Sequence, residues 1–558
     1  MKKLSKYLLA LIILIAIFAR FYKLSSIPVG FNDDEAAFGY NAYSILKTGK
    51  DEWGRTLPFP VFESFGDWKL IGYLYPTVLS ELIFGKNVFA TRLPSAIVGI
   101  FAVYATYILT KKLFEEKIAL LAAFLLAINP WHIIASRNAF ESDILIFFIS
   151  ISIYFFLRSF KESRYLIFSF FGFVFCFYIY RSAWFFLPLF ISTIIYFNKK
   201  ALYRNKIFLF KILTFCGILL LPLIPTILTF SGQSRFIQES FISGVAKQGI
   251  INEINEKRGA CEEKSPKVIC KFTYNKYLSY ITIFFNNYFE NLSPQTYFTR
   301  SPARGYQSFS NRGLLYDFEL PLLIAGIVFL IIKKENSAKI LLPWILLVPL
   351  GASITGVGNP GRLNLILPAP QIIEAFGLFS IVSRLGKNYL KRLVIITVSV
   401  TIAFSLIRLW ADMFYNYPKI SGKYQRYGYQ ELFNRLQPKL KDYNQIVMSR
   451  KNDDAKQYIH YLFFNNISPQ KFLDSNYSVR YRGQDMWQVV EKIGNVYFYP
   501  SAPDLDTIPP KTLLVTEEHE ISYLERPILV VTYPNNDTAF EVYDVDKVKD
   551  KIKKLNEK

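Results

Sequence analysis

Long apolar runs separated by short, mostly basic segments fill residues 7–411 of the 558-residue chain. A transmembrane helix needs about 20 predominantly apolar residues, and runs of this kind recur throughout that region. The predicted spans are 7–22, 92–110, 118–136, 141–157, 165–180, 183–198, 207–229, 318–332, 340–356, 363–383 and 393–411. The pattern therefore predicts a polytopic α-helical membrane protein with about eleven transmembrane helices.

The first apolar run, residues 7–22, follows a basic start that contains three lysines. A cleaved signal peptide has this layout, but it also needs a small-x-small cleavage site, which the sequence here does not show. Arg20 and Lys23 close the run instead. We therefore expect an uncleaved first span.

Short basic connections follow every second predicted span. They are residues 111–117, 158–164, 199–206, 333–339 and 384–392, and residues 1–6 before the first span are basic as well. Together they carry 20 Lys and Arg residues against four glutamates. All fall on one side if residues 69–84, which are rich in Tyr and contain Pro76, form an interfacial helix that does not span. The positive-inside rule then places the N-terminus in the cytoplasm and the C-terminus outside a cell membrane.

Three segments are predicted to lie outside the cytoplasm. The first outer loop covers residues 24–91, the second outer loop covers 230–317, and the third segment is everything after the last span. The last segment alternates helix-like stretches at 426–441 and 453–465 with strand-like runs at 445–449, 495–500, 512–516 and 528–533. We therefore predict a membrane domain over 1–411 and an extracytoplasmic α/β domain over 412–558.

Composition agrees with a membrane protein, since 52% of the residues are hydrophobic and only 19% are charged, against about 25% charged in average globular domains. The formal net charge of +22 is compatible with nucleic-acid binding or with membrane topology. Most of the excess lies in the predicted cytoplasmic connections, and residues 412–558 carry 21 basic against 20 acidic residues. The charge therefore reflects topology, and we expect no nucleic-acid partner.

The densest acidic cluster is Asp33, Asp34 and Glu35, about ten residues after the first span. Taken alone, it reads as a helix N-terminus with Asn32 or Asp33 as the cap. A functional site is the other interpretation, because carboxylates at a membrane boundary are costly.

The turn between the third and fourth spans adds a second group at the same predicted surface: Arg137, Glu141 and Asp143. Lys69 opens the predicted interfacial helix nearby in sequence. A carboxylate that takes a proton from an acceptor, with cations that hold a phosphate leaving group, is the set that a catalyst acting on a phosphorylated lipid needs. For Arg137 and Lys69, snorkelling to lipid headgroups is the alternative.

Two further arginines lie at the outer ends of predicted spans, Arg181 in YRSAW and Arg362 in GNPGRLNLILPAP. Arg362 precedes a span that Pro368 and Pro370 break, and irregular backbone at membrane depth typically lines a cavity. These arginines are candidate ligands of the lipid phosphate.

Four cysteines and three histidines leave little for a Cys- or His-rich metal site. Cys261 and Cys270 both lie in the second outer loop, so they form either a local disulfide or two free thiols. The sequence contains no phosphate-binding loop, serine nucleophile elbow or zinc-protease motif.

The run GFNDDEAAFGYNAYSILKTGKDEWGRTLPFPVFESFGDWKLIGYLYP, followed by LIFGKNVFATRLPSAIVG and NPWHIIASRNAFESD, resembles the GT-C superfamily of membrane glycosyltransferases. Within it, the chain is similar to prokaryotic relatives of protein O-mannosyltransferase and of the lipid A aminoarabinose transferase. The resemblance is strong over about 25–145 and continues more weakly to about 410. It implies a GT-C fold and an inverting transfer of a sugar from a polyprenyl-phosphate donor to an acceptor outside the cytoplasm.

Matched to the family, Asp34 is the general base and Glu35 is its partner in orienting the acceptor. Lys69 matches a cation that contacts the lipid phosphate, although the chain has Lys-Leu-Ile where the family has Lys-Pro-Pro. Glu141 or Asp143 matches an acid of the family. No cofactor is expected to be required, and a divalent metal, if one binds, would use Asp34 and Asp143.

Three alternatives stay open from the sequence. An oligosaccharyltransferase or glycan ligase shares this membrane plan but moves a preassembled glycan. A lipid or solute transporter also has many spans, but it more often shows repeated halves. A membrane anchor with a binding domain leaves the carboxylates near Asp34 and Asp143 unexplained.

Overall fold

The computed structural model describes most of the chain. The described residues are 2–203, 206–229, 240–299, 307–309, 312–449, 456–482, 488–499, 503–518, 520–521 and 525–556. The start of the predicted helix at 453–465 and the last residue of the predicted strand at 495–500 lie outside these ranges.

An α-helix lies within each of the eleven predicted spans. The helices of this region are Lys2–Phe21, Val88–Leu113, Glu116–Ile128, Pro130–Arg137, Glu141–Ser159, Tyr165–Phe177, Ser182–Phe197, Lys199–Leu202, Lys206–Leu220, Ile224–Leu228, Glu319–Ile332, Ala338–Ser353, Pro360–Leu363, Ala369–Arg384 and Asn388–Ala411. A multi-pass helical membrane fold is therefore confirmed. Among the described residues, five helices are long and apolar enough to cross a membrane alone, or up to seven if each bent pair is one span, so the count of eleven is not confirmed.

Two of the spans are broken. The pair Glu116–Ile128 and Pro130–Arg137 bends by 57°, and the pair Pro360–Ile366 and Ala369–Arg384 bends by 48°. The second break lies at Pro368, as the prolines of this segment predicted.

The first outer loop folds as a helix, a hairpin and a second helix. Helix Asp33–Thr48 is followed by strands β1 (Val61–Ser64) and β2 (Asp67–Leu70), which pair antiparallel, and then by helix Leu74–Phe84. Lys69 therefore lies in β2, and the prediction that it opens an interfacial helix is wrong. Phe65 and Gly66 both have positive φ, which gives the two-residue turn that right-handed strand twist favours in a hairpin.

The described part of the second outer loop contains helices Gly244–Glu262, Lys267–Thr273 and Lys276–Asn291. Cys261 and Cys270 are joined in a disulfide with a Cα–Cα distance of 5.7 Å.

The C-terminal segment is built around a seven-stranded mixed sheet. Its strands are β3 (Gln445–Ser449), β4 (Ser478–Arg482), β5 (Gln488–Ile493), β6 (Val496–Tyr499), β7 (Thr512–Thr516), β8 (Leu529–Thr532) and β9 (Thr538–Asp544), in the order β4-β5-β6-β3-β7-β9-β8. β3 pairs parallel with β6 and β7, and the other pairs are antiparallel. The predicted α/β character is confirmed, although the sequence interpretation missed β4, β5 and β9.

Helices accompany the sheet. They are Tyr417–Ser421, Tyr429–Leu436, Gln457–Phe464, Pro469–Leu473 and Val545–Asn556. Leu432, Leu462 and Val542 are fully buried in a core that also takes in Ala36 and Tyr40 of the first outer loop. The first outer loop and the C-terminal segment therefore share one hydrophobic core.

Two compact units result. The first comprises residues 1–22, 95–136 and 140–409, and the second comprises 23–94, 137–139 and 410–558. This division differs from the predicted one, because the first outer loop groups with the C-terminal segment and not with the spans.

Candidate functional site

The acidic cluster forms the first turn of helix Asp33–Thr48 in the second unit. Asn32 Oδ1 accepts a hydrogen bond from the Glu35 N–H at 3.0 Å, and Glu35 Oε2 accepts one from the Asn32 N–H at 3.2 Å. This capping box satisfies two backbone donors and fixes the helix start. Asn32 is therefore the cap, and the carboxylates of Asp33 and Asp34 are left for other partners.

Glu35 is completely buried and is held by Arg92. Arg92 Nε donates to Glu35 Oε1 at 2.7 Å and Arg92 Nη2 donates to Oε2 at 2.9 Å, while the Ala139 N–H donates to Oε1 at 3.0 Å. Both side chains have no exposed surface. A bidentate pair of this kind is the strong form of an ion pair.

Arg92 also organises the chain that leads into the helix. It donates to the carbonyl oxygens of Leu24, Pro28 and Gly30 at 2.8–3.2 Å. The Glu35–Arg92 pair thus joins the loop before the helix to the helix itself and to the Ala139 backbone. The structure places Glu35 away from any surface, which favours a structural role over the predicted contact with an acceptor.

Asp34 has a different environment. Its Oδ1 accepts from Lys69 Nζ at 2.5 Å, and its side chain is 32% exposed. Lys69 is buried and also donates to Asp67 Oδ2 at 3.0 Å. Within the described residues, Lys69 is the one side chain that pairs with Asp34, so the second carboxylate oxygen of Asp34 stays available to solvent or to a substrate.

Lys69 is enclosed on its other sides by aromatic rings. Its Nζ lies 5.1 Å from the ring centre of Phe65 and 5.8 Å from that of Phe38. β2 fixes its backbone, because Lys69 is paired with Phe62 across the hairpin. The ammonium group is therefore held against Asp34. The sequence predicts Lys69 at an outer surface, whereas the structure buries its side chain.

Asp33 is paired with three basic residues of the C-terminal segment. Arg426 Nε and His460 Nε2 lie 3.2 and 2.9 Å from Asp33 Oδ1, and Lys456 Nζ lies 4.0 Å from Oδ2. Burial alone raises the pKa of Asp33, but the charges of Arg426, His460 and Lys456 outweigh it and hold the pKa below the ordinary value. Asp33 is thereby kept ionised as an anchor for this segment.

Three consecutive acids thus have three separate sets of basic partners. Asp33 is 17% exposed, Asp34 is 32% exposed and Glu35 is sealed. General-base catalysis requires a carboxylate that a substrate proton can reach. By geometry, Asp34 is the member of the cluster that meets this requirement.

Arg137 lies in the second unit and is also buried. Its Nε and Nη2 donate to the carbonyl oxygen of Ile27 at 3.1 and 2.8 Å, and Nη2 donates to that of Lys23 at 3.2 Å. Next to it, Asn138 accepts a hydrogen bond from Gln425 at 2.9 Å. Arg137 therefore holds backbone in place at this position.

Asp143 belongs to the first unit, where helix Glu141–Ser159 carries it. It is completely buried, 3.5 Å from both Ser95 Oγ and His132 Nε2, and His132 Nδ1 lies 2.7 Å from Arg20 Nη2. Glu141 is buried at the start of the same helix. Asp143 is thus part of an interior polar group that also includes Arg20.

Arg181 and Arg362 are partly exposed in the first unit, and the Arg181 guanidinium lies 5.9 Å from the ring centre of Trp184. The predicted site residues are therefore distributed over both units. Asp34, Glu35, Lys69 and Arg137 lie in the second, and Glu141, Asp143, Arg181 and Arg362 lie in the first.

Several further carboxylates of the second unit are buried, and Glu52 is one that sequence reasoning missed. Glu52 Oε1 accepts from Tyr458 Oη at 3.0 Å and from Trp53 Nε1 at 3.1 Å. Burial and, to a smaller extent, the charge of nearby Asp51 raise the pKa of Glu52 to about 7, although these hydrogen bonds lower it.

Sequence reasoning also missed the partners Arg92, Asp67, Arg426 and His460. An arginine at the edge of an apolar run is a signal that could have singled out Arg92. Over the described ranges, no three His, Cys, Asp or Glu residues gather in a way that could hold a metal ion.

Residues 71–226 match the family model of dolichyl-phosphate-mannose-protein mannosyltransferase. Arg92, Arg137, Asp143 and Arg181 fall inside this match, whereas Asp34 precedes it. No curated protein matches the sequence significantly.

Three solved structures are similar to this chain. ArnT from Cupriavidus metallidurans in the apo state is 11% identical, with a TM-score of 0.50, and the alignment covers 97% of each chain. A structure of the same protein bound to undecaprenyl phosphate gives 11% identity and a TM-score of 0.49, covering 96% of this chain and 97% of that one.

The apo oligosaccharyltransferase of Archaeoglobus fulgidus is 12% identical, with a TM-score of 0.48, over 83% of this chain. The present chain spans 64% of the length of that protein. The family match and the ArnT fold confirm the resemblance to GT-C membrane glycosyltransferases.

Proposed function

We propose that this chain is an integral membrane glycosyltransferase that moves a sugar from a polyprenyl-phosphate donor to an acceptor outside the cytoplasm. The geometry of Asp34 carries the proposal, because Asp34 presents a partly exposed carboxylate beside two carboxylates that internal partners occupy. The match of residues 71–226 to a dolichyl-phosphate-mannose-dependent family supports the donor class.

In the proposed reaction, Asp34 takes the proton of an acceptor hydroxyl or amine. The acceptor atom forms a bond to the anomeric carbon of the sugar while the bond between that carbon and the phosphate oxygen breaks. The polyprenyl phosphate leaves with the bonding electron pair, and the anomeric configuration inverts. Hexosyl and pentosyl donors both fit this scheme.

Lys69 has a positioning role in this proposal. Its Nζ holds Oδ1 of Asp34, so the other oxygen faces the acceptor, and Asp67 holds Lys69 in turn. Because the Lys69 side chain is buried, contact with the donor phosphate is better assigned to partly exposed arginines, for which Arg181 and Arg362 are the candidates.

The proposed topology has eleven spans, with the N-terminus in the cytoplasm and the C-terminal segment outside. The basic connections at one predicted side support it through the positive-inside rule. The acidic cluster then lies outside, where a lipid-linked donor presents its sugar.

The test uses membranes that contain the full chain and radiolabelled polyprenyl-phosphate sugars. We expect label to leave the lipid with the wild-type protein, and Asp34→Asn to slow this by about 10²–10⁴-fold, the usual contribution of a general base. Asp442→Asn is the control, because Asp442 is an exposed carboxylate of the same unit. Near-wild-type transfer by Asp34→Asn would disprove the assignment, and transfer from preassembled glycan donors alone would identify a ligase.

Metal-independent transfer is part of the proposal. We expect the same assay to give an unchanged rate after treatment with EDTA, because the proton acceptor and the positioning cation are both side chains of this chain. A rate that EDTA abolishes and Mg²⁺ or Mn²⁺ restores would show that a divalent ion takes part.

A further inference from the structure

The second outer loop contains a helix that turns apolar side chains outward. In helix Lys276–Asn291, the residues Tyr277, Ile281, Phe285 and Phe289 follow one another at intervals of four and form one face. Each of the four is at least 50% exposed. An apolar face of this size on a segment in water is unusual.

The opposite face of this helix carries the polar contacts to the protein. Asn287 Nδ2 donates to the Ser353 carbonyl at 2.9 Å, and Asn291 Nδ2 donates to the Gly356 carbonyl at 3.1 Å. A helix in water normally packs its apolar stripe on the protein and exposes its polar residues. Here two polar side chains contact the protein, whereas the four apolar side chains are exposed, as are Asn286 and Glu290.

A third hydrogen bond joins helix Lys276–Asn291 to the middle of the predicted span 340–356. Tyr288 Oη donates to the Leu346 carbonyl at 3.0 Å. Leu346 lies near the middle of the predicted span 340–356, seven residues before Ser353, which is about 10 Å along a helix axis. The Tyr288 hydroxyl of helix Lys276–Asn291 therefore reaches the middle of this predicted span.

The neighbouring helix Lys267–Thr273 extends the apolar surface. Val268, Ile269 and Phe272 are each more than half exposed, and Phe272 reaches 78%. The disulfide between Cys261 and Cys270 fixes this short helix to the end of helix Gly244–Glu262.

Lysines border the apolar surface. Lys264, Lys267, Lys271 and Lys276 are all exposed. Lysines at the edge of an apolar surface suit a membrane interface, where the ammonium groups reach lipid phosphates while apolar residues enter the acyl region.

Helix Gly244–Glu262 of the same loop differs, because its exposed residues are mostly polar. Its exposed positions include Asn252, Glu253, Asn255, Glu256 and Lys257, and its Ile254 is buried. This helix has the polarity expected in water. In the part of this loop that the structure describes, the large apolar side chains that are at least half exposed all lie within residues 267–291.

We propose that residues 267–291 form a membrane-inserted hairpin of the second outer loop, which binds bilayer lipids with Val268, Phe272, Ile281, Phe285 and Phe289. The hairpin enters the leaflet on the side of this loop and lies against helix Ala338–Ser353. It is an additional lipid contact of the chain that does not cross the bilayer.

The test places the full chain in lipid nanodiscs with a spin label on a single introduced cysteine, Phe285→Cys or Phe289→Cys. The native free cysteines, Cys176 and Cys216, are buried. We expect both labels to collide at least fivefold more with dissolved oxygen, which concentrates in lipid, than with a water-soluble nickel complex. Glu256→Cys is the control, with the opposite preference. Preference for nickel at 285 and 289 overturns the proposal, as does protection from both reagents, which indicates a protein partner.

A second measurement needs no substitution. A lipid-soluble carbene probe is activated in vesicles that hold the wild-type chain, and the labelled peptides are mapped by mass spectrometry. We expect labelling of 277–289 comparable to that of the span 393–411, and at least tenfold less labelling of 252–257. Equal, low labelling of 277–289 and 252–257 contradicts insertion.

Discussion

Two ion pairs on one helical turn show how neighbouring carboxylates acquire different roles. The Glu35–Arg92 pair is sealed and bidentate, and Arg92 uses its remaining donors on backbone carbonyls. The Asp34–Lys69 pair occupies one carboxylate oxygen and leaves the other partly exposed. Charge alone does not separate the two acids. Burial and the number of donors separate them, so one pair is suited to hold the fold and the other to take a proton.

Of the substitutions that test the two pairs, we expect Arg92→Met to lower stability most. Arg92→Met leaves Glu35 as a buried carboxylate without its cation, and breaking a buried pair on one side costs about 3–5 kcal/mol. We expect a strong fall in the thermal midpoint of the purified protein in detergent. The double variant Glu35→Gln with Arg92→Met should recover part of the loss, because it removes the unpaired charge.

An unchanged midpoint for Arg92→Met would contradict a structural role for the sealed pair. Lys47→Met serves as the control, since Lys47 is an exposed cation on helix Asp33–Thr48.

Glu52 sharpens the comparison because it is a buried carboxylate that, among the described residues, is held by hydrogen bonds from Trp53 and Tyr458 and not by an ion pair. Its pKa of about 7 in the folded chain lies above the ordinary 4.5. The folded state therefore keeps a proton that the unfolded chain loses between these values. The stabilisation is complete below about pH 4.5 and is lost as the pH rises through 7, in total about 3 kcal/mol.

We therefore expect the thermal midpoint of the wild-type protein to fall between pH 5 and pH 7.5, and Glu52→Gln to reduce this slope. Glu81 supplies a further part of the slope, because burial raises its pKa to about 9. Asp33 does not contribute in this window, because its depressed pKa places its titration below it. Parallel curves for the two proteins would show that Glu52 does not titrate there.

The Asp34–Lys69 pair leads to a kinetic prediction for substitutions of Lys69. Lys69→Met removes the group that orients Asp34, and a small misplacement of a reacting group costs about 10²-fold in rate. We expect a fall in kcat per folded molecule with little change in KM for the lipid donor, a lower midpoint because buried Asp67 loses its cation, and partial recovery of both in Lys69→Arg. A rise in KM at constant kcat would instead indicate that Lys69 binds the donor phosphate, as the family resemblance implies.

The sequence was sufficient to predict the multi-pass helical region, the α/β character of the C-terminal segment and the position of Asp33–Glu35 at a helix start. Apolar runs and local acidic residues are visible in linear order. The partners of the cluster are not, because Arg92 is 57 residues from Glu35, and Arg426 and His460 are 393 and 427 residues from Asp33.

The error at Lys69 has a local cause. The Tyr content and Pro76 of residues 69–84 predict one interfacial helix, but the helix begins only at Leu74. Gly66, in a two-residue turn between Val61–Ser64 and Asp67–Leu70, was the signal for a hairpin. The sequence also could not predict which of Asp34 and Glu35 is exposed, because the two acids are adjacent and chemically similar.

The most direct measurement compares Asp34→Asn and Glu35→Gln for single-turnover transfer of a labelled sugar from a polyprenyl-phosphate donor, per folded molecule, together with the thermal midpoint of each. We predict that Asp34→Asn keeps the wild-type midpoint and loses at least about 10²-fold in rate. Glu35→Gln should lower the midpoint while the rate per folded molecule stays within about tenfold of wild type, because Glu35 touches only protein groups. The reverse result, with Glu35→Gln inactive at an unchanged midpoint and Asp34→Asn active, would contradict the assignment of the two pairs.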